Sequence, residues 1–255
     1  MEKQSFWDRY ARRYSHFVRA DQEAYAQMLE WIRPAVRDRT VLELATGTGV
    51  IAHGIVHEAA SIEATDASAG MIDVARSHSR SRKLHFSVQD MRYLPYADGS
   101  FEVVIAANVL HLLPEPDKAL DEAARVLAPG GLLIVPTFTH AGEGRLARLR
   151  LWLMRRAGFP LRWKWSPAEF LQYLRRHGWK VVQHHVLQGT FPLTYAACVR
   201  RCADAEHEMP VTEHETALIC SHVIRYPYRP GLRNSAADRA NFCEGGRRNM
   251  TSAAS

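Results

Sequence analysis

The strongest constraint in this chain is an alternation, starting at Thr40, of short apolar runs with amphipathic ones. The spacing predicts strand 40–45, helix 49–59, strand 61–65, helix 68–79, strand 84–88, a proline-containing loop, strand 101–106, helix 116–127 and strand 131–136. Segments such as Val103-Val104-Ile105 and Leu132-Leu133-Ile134-Val135 are apolar on both faces, as strands become when helices cover a parallel sheet from both sides. The expected class is therefore α/β, a doubly wound and mostly parallel sheet. Ligands in such sheets bind beyond the carboxyl ends of the strands, near the topological switch point. That rule puts Gly47, Asp66, Asp90, Asn108 and the residues after Val135 along one rim.

The first strand carries one acid and runs into a glycine turn: Val41-Leu42-Glu43-Leu44-Ala45-Thr46-Gly47-Thr48-Gly49. Leu42 and Leu44 suit a buried strand, and Val50, Ile51, Ile55 and Val56 give the following helix its core face. Gly47 and Gly49 remove Cβ atoms where the chain bends, which lets backbone approach a ligand. A strand, a glycine turn and a helix make a nucleotide-site candidate. The same letters also fit the G-x-G-x-x-A dinucleotide fingerprint, or a plain βα turn. A carboxylate inside an apolar strand, as at Glu43, is costly unless it is paired or hydrogen-bonded.

Around this alternation lie three other stretches. Residues 5–33 read as a helix with the stripe Phe6, Tyr10, Tyr14 and Phe17, stopped by Pro34. Residues 141–165 form a basic amphipathic insertion, with Leu146, Leu149, Trp152 and Leu153 opposite Arg145, Arg148, Arg155 and Arg156, followed by Phe159, Leu161, Trp163 and Trp165. That pattern fits a lid over the sheet or a helix lying on a membrane surface. Then Ser166-Pro167-Ala168-Glu169 spells a capping box, Gly178 ends the helix, and 179–187 with 193–199 read as an antiparallel strand pair. The domains expected are a helical cap at 1–39, a ligand-binding domain at 40–201 with the insertion at 141–165, and a largely irregular tail at 202–255.

Composition narrows the setting. The formal charge of +6 is spread through the chain, so nucleic-acid binding is not demanded. Cys198, Cys202, Cys220 and Cys243 form no C-x-x-C pair, which fits a reducing cytosol, and no metal site is expected. The polar start MEKQSFWDRY and the absence of a long apolar run argue for a cytoplasmic protein, with peripheral membrane contact through 145–165 as the alternative.

Four blocks in order carry a resemblance: VLELATGTG, IEATDASAGMIDVA, VQDMRYLPYADGSFEVVIAANVLHLL and ALDEAARVLAPGGLLIV. Over residues 5–200 the chain resembles the class I S-adenosylmethionine-dependent methyltransferases, in particular the small-molecule group related to the ubiquinone and menaquinone methyltransferases. The resemblance implies a seven-stranded Rossmann-like sheet with an antiparallel C-terminal strand pair. It implies S-adenosyl-L-methionine as cofactor and methyl transfer to a small molecule, and the apolar and aromatic residues of the insertion point to a lipophilic acceptor. Glu43 would help hold the methionine portion, Asp66 the ribose hydroxyls, Asp90 the adenine amino group with the Met91 backbone beside it, and Asn108 the ammonium. Tyr14, Ala45, Gly47, Gly49, Ala67 and Met71 complete the implied cofactor contacts, and His111 and His140 are the candidate bases. The family commonly has glycine where this chain has Ala45. The rival readings are a non-catalytic partner subunit that keeps the fold, a nucleic-acid methyltransferase, and an NAD-dependent oxidoreductase. The last two lack, respectively, an Asn/Asp-Pro-Pro-aromatic motif after the fourth strand and any use for Glu43 and the LPYADGSFEVV block.

Overall fold

The apolar run after Thr40 forms the centre of the sheet, with parallel neighbours on both sides. The structure is a computed structural model that describes residues 7–9, 11, 21–139, 152, 156, 159–187 and 192–201. Helix α1 (Gln22–Val36) precedes β1 (Thr40–Leu44), α2 (Val50–Ile55), β2 (Ser61–Asp66), α3 (Ala69–Ser77), β3 (Leu84–Val88) and β4 (Phe101–Ala106). A 3-10 turn at Leu110–Leu112 leads to α4 (Pro116–Val126), β5 (Leu127–Ile134), β6 (Thr137–Phe138), α5 (Pro167–Arg176), β7 (Trp179–Leu187) and β8 (Leu193–Arg200).

Strands β3, β2, β1, β4 and β5 lie side by side in that order, all parallel, and β8 is antiparallel to β5, β6 and β7. The sheet has eight strands where the sequence predicts seven. The extra strand is β6, and it prolongs β5: the register along β8 runs unbroken from Leu133↔Cys198 and Ile134↔Ala197 to Thr137↔Thr194 and Phe138↔Leu193. Pro136 lies in the gap and has no N–H to give to a ladder, so one long strand is divided in two.

Side chains alternate across the sheet and build two cores. Leu42, Leu44, Val104 and Leu133 pack with Leu120 of α4 and Phe170 and Leu174 of α5. On the opposite face Val41, Ile62, Val103 and Ile105 pack with Met28 and Ile32 of α1 and Ile51 and Ile55 of α2. Glu43 has the parity of Val41, which turns it toward the second of these faces.

Helix α1 passes through Pro34 to Val36, although the sequence predicts a stop at the proline. Pro34 removes one bond near the end of the helix, and the full burial of Ile32 and Val36 on either side of it holds the last turn in place. Strand β5 starts four residues earlier than predicted, because Ala128-Pro129-Gly130-Gly131 is extended and joins β4 across an irregularity between Phe101 and Val103. The stripe Phe6, Tyr10, Tyr14 and Phe17, most of the insertion and the tail from 202 lie outside the described residues. Among the described residues no helix is long and apolar enough to cross a membrane.

Arg125 explains why two of the sequence blocks belong together. Its guanidinium donates to the carbonyl oxygens of Leu94 and Tyr96 and to the carboxylates of Asp98 and Glu122, while Glu122 accepts from the Leu94 amide at 2.8 Å. A planar fork with several donors can tie a loop of carbonyls where a lysine could not. The loop between β3 and β4 is thereby fastened to α4.

Candidate functional site

A cleft of about 560 Å³ opens at the carboxyl ends of β1, β2, β3 and β4. This is the switch point of the topology, where β1 has β2 on one side and β4 on the other. Ala45 and Gly47 enter the cleft from the turn after β1, Asp66, Ala67 and Met71 from the end of β2 and α3, Asp90, Met91 and Arg92 from the loop after β3, and Asn108 from the end of β4. The far wall is apolar, made by Val109, Leu112, Leu113, Pro114 and Pro160.

The turn after β1 is tight enough to demand left-handed backbone. Ala45, Gly47 and Gly49 have φ of 53°, 56° and 81°. Glycine adopts these values freely, whereas an L residue with a Cβ pays roughly 1–2 kcal/mol, so Ala45 is strained. Gly49 faces protein: a Cβ there would stand 3.0 Å from the His53 ring and 3.2 Å from Ala75 Cβ. It permits α2 to pack on α3 and is not among the residues lining the cleft.

Asp66 closes this turn. One carboxylate oxygen accepts the Gly47 amide at 2.9 Å and the other the Ser68 amide at 2.8 Å, so the acid joins the end of β1 to the start of α3. Burial pushes its pKa up, and the amides of Ser68 and Gly47 pull it back. Ser68 caps α3 by accepting from Met71 N at 3.2 Å, and its hydroxyl donates to Asp8, which also accepts the Gly70 amide at 3.1 Å. These contacts seat residues 7–9 at the start of α3 and bring Trp7 into the cleft lining.

Asp90 is bound differently. Its Oδ1 accepts the Arg92 amide and Nε, each at 3.0 Å, and its Oδ2 accepts Nη2 at 2.6 Å. The arginine holds the carboxyl below its usual pKa.

Glu43 Oε2, Asn108 Oδ1 and the Thr46 hydroxyl are among the buried polar atoms without a hydrogen-bond partner. Glu43 is 2% exposed and its Oε2 has no hydrogen-bond partner; burial raises its pKa to about 8, helped by the nearby charge of Asp66. Asn108, at φ 52°, gives Nδ2 to the Tyr25 hydroxyl at 3.0 Å and its amide to Pro136 O at 2.7 Å, but its Oδ1 is unpartnered. Glu43 lies behind the cleft lining, beneath the glycine turn, whereas Asn108 lies in it.

His111 also stands outside the lining. It sits in the 3-10 turn, 2% exposed, with its ring edge-on to Phe138, and its carbonyl accepts the amides of Arg162 and Trp163, both at 3.0 Å. Its backbone thus anchors the strap 160–165, in which Trp163 stacks on Trp165 and Trp165 on Tyr173. Tyr14 and His140 lie outside the described residues.

The sequence reading overlooked Trp7, Arg92 and Pro160. Arg92 had a signal, since an Asp-x-Arg spacing in a loop allows a local bidentate pair. Trp7 and Pro160 are remote in the chain from the sheet ends they meet, so nothing local marked them.

Residues 42–135 match the methyltransferase domain family. The matched stretch holds Gly47, Asp66, Asp90 and Asn108 of the cleft. Demethylmenaquinone methyltransferase of Renibacterium salmoninarum is 37% identical over 110 residues, 43% of this chain and 46% of that protein. Malonyl-[acyl-carrier protein] O-methyltransferase of Halorhodospira halophila is 33% identical over 136 residues, 52% of this chain and 46% of that protein. The chain spans about half the length of the curated relatives it matches. Among solved structures, the DhpI-SAH complex is 25% identical with a TM-score of 0.61, covering 78% of this chain and 95% of that one. The methyltransferase solved with the Haloferax volcanii Trm112 activator has the same fold, at 20% identity and a TM-score of 0.65, covering 77% of this chain and 98% of that one. Most of the cleft lining lies within the residues that match the methyltransferase domain, with Trp7 and Pro160 outside them.

Proposed function

We propose that the cleft binds S-adenosylmethionine and that the protein transfers the cofactor's methyl group to a small, lipophilic acceptor. The observation that carries this reading is the Oδ1 of Asn108, a buried acceptor in the cleft wall that lacks a donor. An unpaired buried acceptor favours a ligand that brings a donor, and a cationic donor most of all. The amino-acid end of S-adenosylmethionine carries an ammonium, and Glu43 beneath the turn adds a carboxyl able to ionise toward that charge.

The remaining residues fit the rest of the cofactor. The backbone at Ala45, Gly47 and Ala67 leaves room for close approach, Asp66 keeps acceptor capacity for the ribose hydroxyls beyond its two amides, and Met71 and Met91 border the adenine that Asp90 recognises. When bound, the cofactor supplies an electrophilic methyl group on a sulfonium. The protein's part is alignment of acceptor and methyl and exclusion of water, which need no strong base.

The apolar wall of Leu112, Leu113, Pro114 and Pro160 supports a hydrophobic acceptor, and the relatives named demethylmenaquinone methyltransferase support a quinone-like one. The alternation of leucines and arginines in the sequence 145–156 also supports a lipophilic acceptor. Trp152, 57% exposed with the Arg156 guanidinium 5.9 Å from its ring, suits contact with an anionic membrane. Incubating the full chain with methyl-labelled S-adenosylmethionine and a panel of short-chain quinols, thiols and phenols tests the activity. Label transfer to a quinol is expected; binding of S-adenosylhomocysteine without transfer to any acceptor would favour the partner-subunit reading instead.

A further inference from the structure

We infer that Arg92 is a positioning residue for adenine recognition, holding the Asp90 carboxylate in one plane with a single acceptor site left toward the cleft. The inference rests on the cofactor reading above and deepens it. Asp90 follows β3 in irregular backbone, and its side chain is 41% exposed. An aspartate there, left to itself, would sample several rotamers and lose that freedom when a ligand ordered it. Arg92 removes the freedom beforehand.

The geometry shows how completely it does so. A carboxylate offers about four acceptor sites. The Arg92 amide and Nε occupy Oδ1, both at 3.0 Å, and Nη2 takes one site on Oδ2 at 2.6 Å, with Nε a longer 3.2 Å from the same atom. The Nε N–H is shared between the two oxygens, so three N–H groups meet four acceptor sites and Oδ2 keeps room for one more donor. Because Asp90 and Arg92 both line the cleft, that site is available to a ligand's N–H, and the fork sets its direction. A lysine would supply charge without a plane. Among the described residues lining the cleft, Arg92 is the one cation, so no neighbour on this wall can substitute for it.

The ligand feature read by this site is an exocyclic amine. Adenine presents N–H donors at its 6-position; hypoxanthine presents a carbonyl oxygen there, which a fixed carboxylate repels. Arg92 therefore contributes to the choice between the two bases, beyond its contribution to affinity.

Calorimetric titration of the full chain with S-adenosylhomocysteine and with S-inosylhomocysteine separates the two effects. The wild-type protein is expected to prefer the adenosyl ligand about tenfold, the modest ratio suited to a half-exposed hydrogen bond. Arg92→Ala should weaken S-adenosylhomocysteine about fivefold and leave S-inosylhomocysteine within about twofold, so the preference collapses. Arg92→Lys should restore only a minor part of it, and it carries the same test should Arg92→Ala not fold. Equal weakening of both ligands would mean that Arg92 merely shapes the loop, and an unchanged preference would mean that it does not act on Asp90; either overturns the inference while leaving the cofactor reading intact. Failure of the wild-type protein to bind S-adenosylhomocysteine overturns both.

Discussion

The acceptors in and behind the cleft are of two kinds. Asp66 and Asp90 already receive donors from the protein, backbone amides in the first case and a guanidinium in the second. Glu43 Oε2 and Asn108 Oδ1 are buried with none. Donors inside the fold fix the orientation of an acid, and at Asp90 they also hold the pKa down, so such an acid can read a neutral hydroxyl or amine. An acceptor buried without a donor raises the free energy of the empty site, and a ligand that brings a cation relieves that cost on arrival. The contrast matches a ligand with a neutral nucleoside at one end and a positive charge at the other.

The largest effect that could break this comparison belongs to Glu43. Its folded pKa is raised from 4.5 to about 8, so the folded protein holds a proton that the unfolded chain releases. The stability this contributes is present below the ordinary glutamate value and is lost as pH rises toward about 8. Glu43→Gln, which stays neutral, should remove that slope and leave the ligand-free protein roughly 2–4 kcal/mol more stable than wild type at pH near 8, with little difference near pH 4. Urea unfolding across this range checks it. Parallel curves for the two proteins would mean that Glu43 is as well satisfied as Asp66, and the contrast would disappear.

A smaller effect is expected from Asp66. Asp66→Ala deprives the amides of Gly47 and Ser68 of their acceptor, so it should weaken S-adenosylhomocysteine binding by about 1–3 kcal/mol and lower stability by a similar amount, without abolishing the fold. Calorimetry and denaturant midpoints measure the two losses. A loss of stability alone would show that the carboxylate serves the turn and not the ligand, which would sharpen the contrast by leaving Asp90 as the acid that reads the ligand.

How much of this could be read from the chain depends on how local each signal is. The five parallel strands were legible because each is a short apolar run closed by a polar or glycine turn, and Ser166-Pro167-Ala168-Glu169 forms its capping box as spelled. Gly47, Asp66, Asp90 and Asn108 meet at one rim because all follow strands that point the same way. The pairing state of the acids was not legible. Arg92 engages Asp90 through a side-chain rotamer, and the burial that raises the pKa of Glu43 is set by the elements packed around its strand. Trp7 reaches the cleft only because Asp8 finds the start of α3, a contact across about sixty residues. His111 stood out by its place after β4, but the strap at 160–165 binds its carbonyl and the turn buries its ring.

Ala45 gives the smallest effect and tests whether the turn after Glu43 also carries backbone strain. Its φ of 53° lies in the left-handed region, where a Cβ costs roughly 1–2 kcal/mol. Ala45→Gly removes that cost but gives the unfolded chain more freedom, which takes back about 0.5–1 kcal/mol. The net expectation is a protein more stable by about 0.5–1 kcal/mol, with S-adenosylhomocysteine affinity unchanged or raised up to about threefold, since Ala45 also lines the cleft. Ala67→Gly is the control: Ala67 lines the same cleft without a positive φ, so only the unfolded-state term acts and stability should fall. Denaturant midpoints of the two variants should therefore move in opposite directions. If both fall, the backbone at Ala45 is relaxed in solution, and the unpaired acceptors alone carry the contrast.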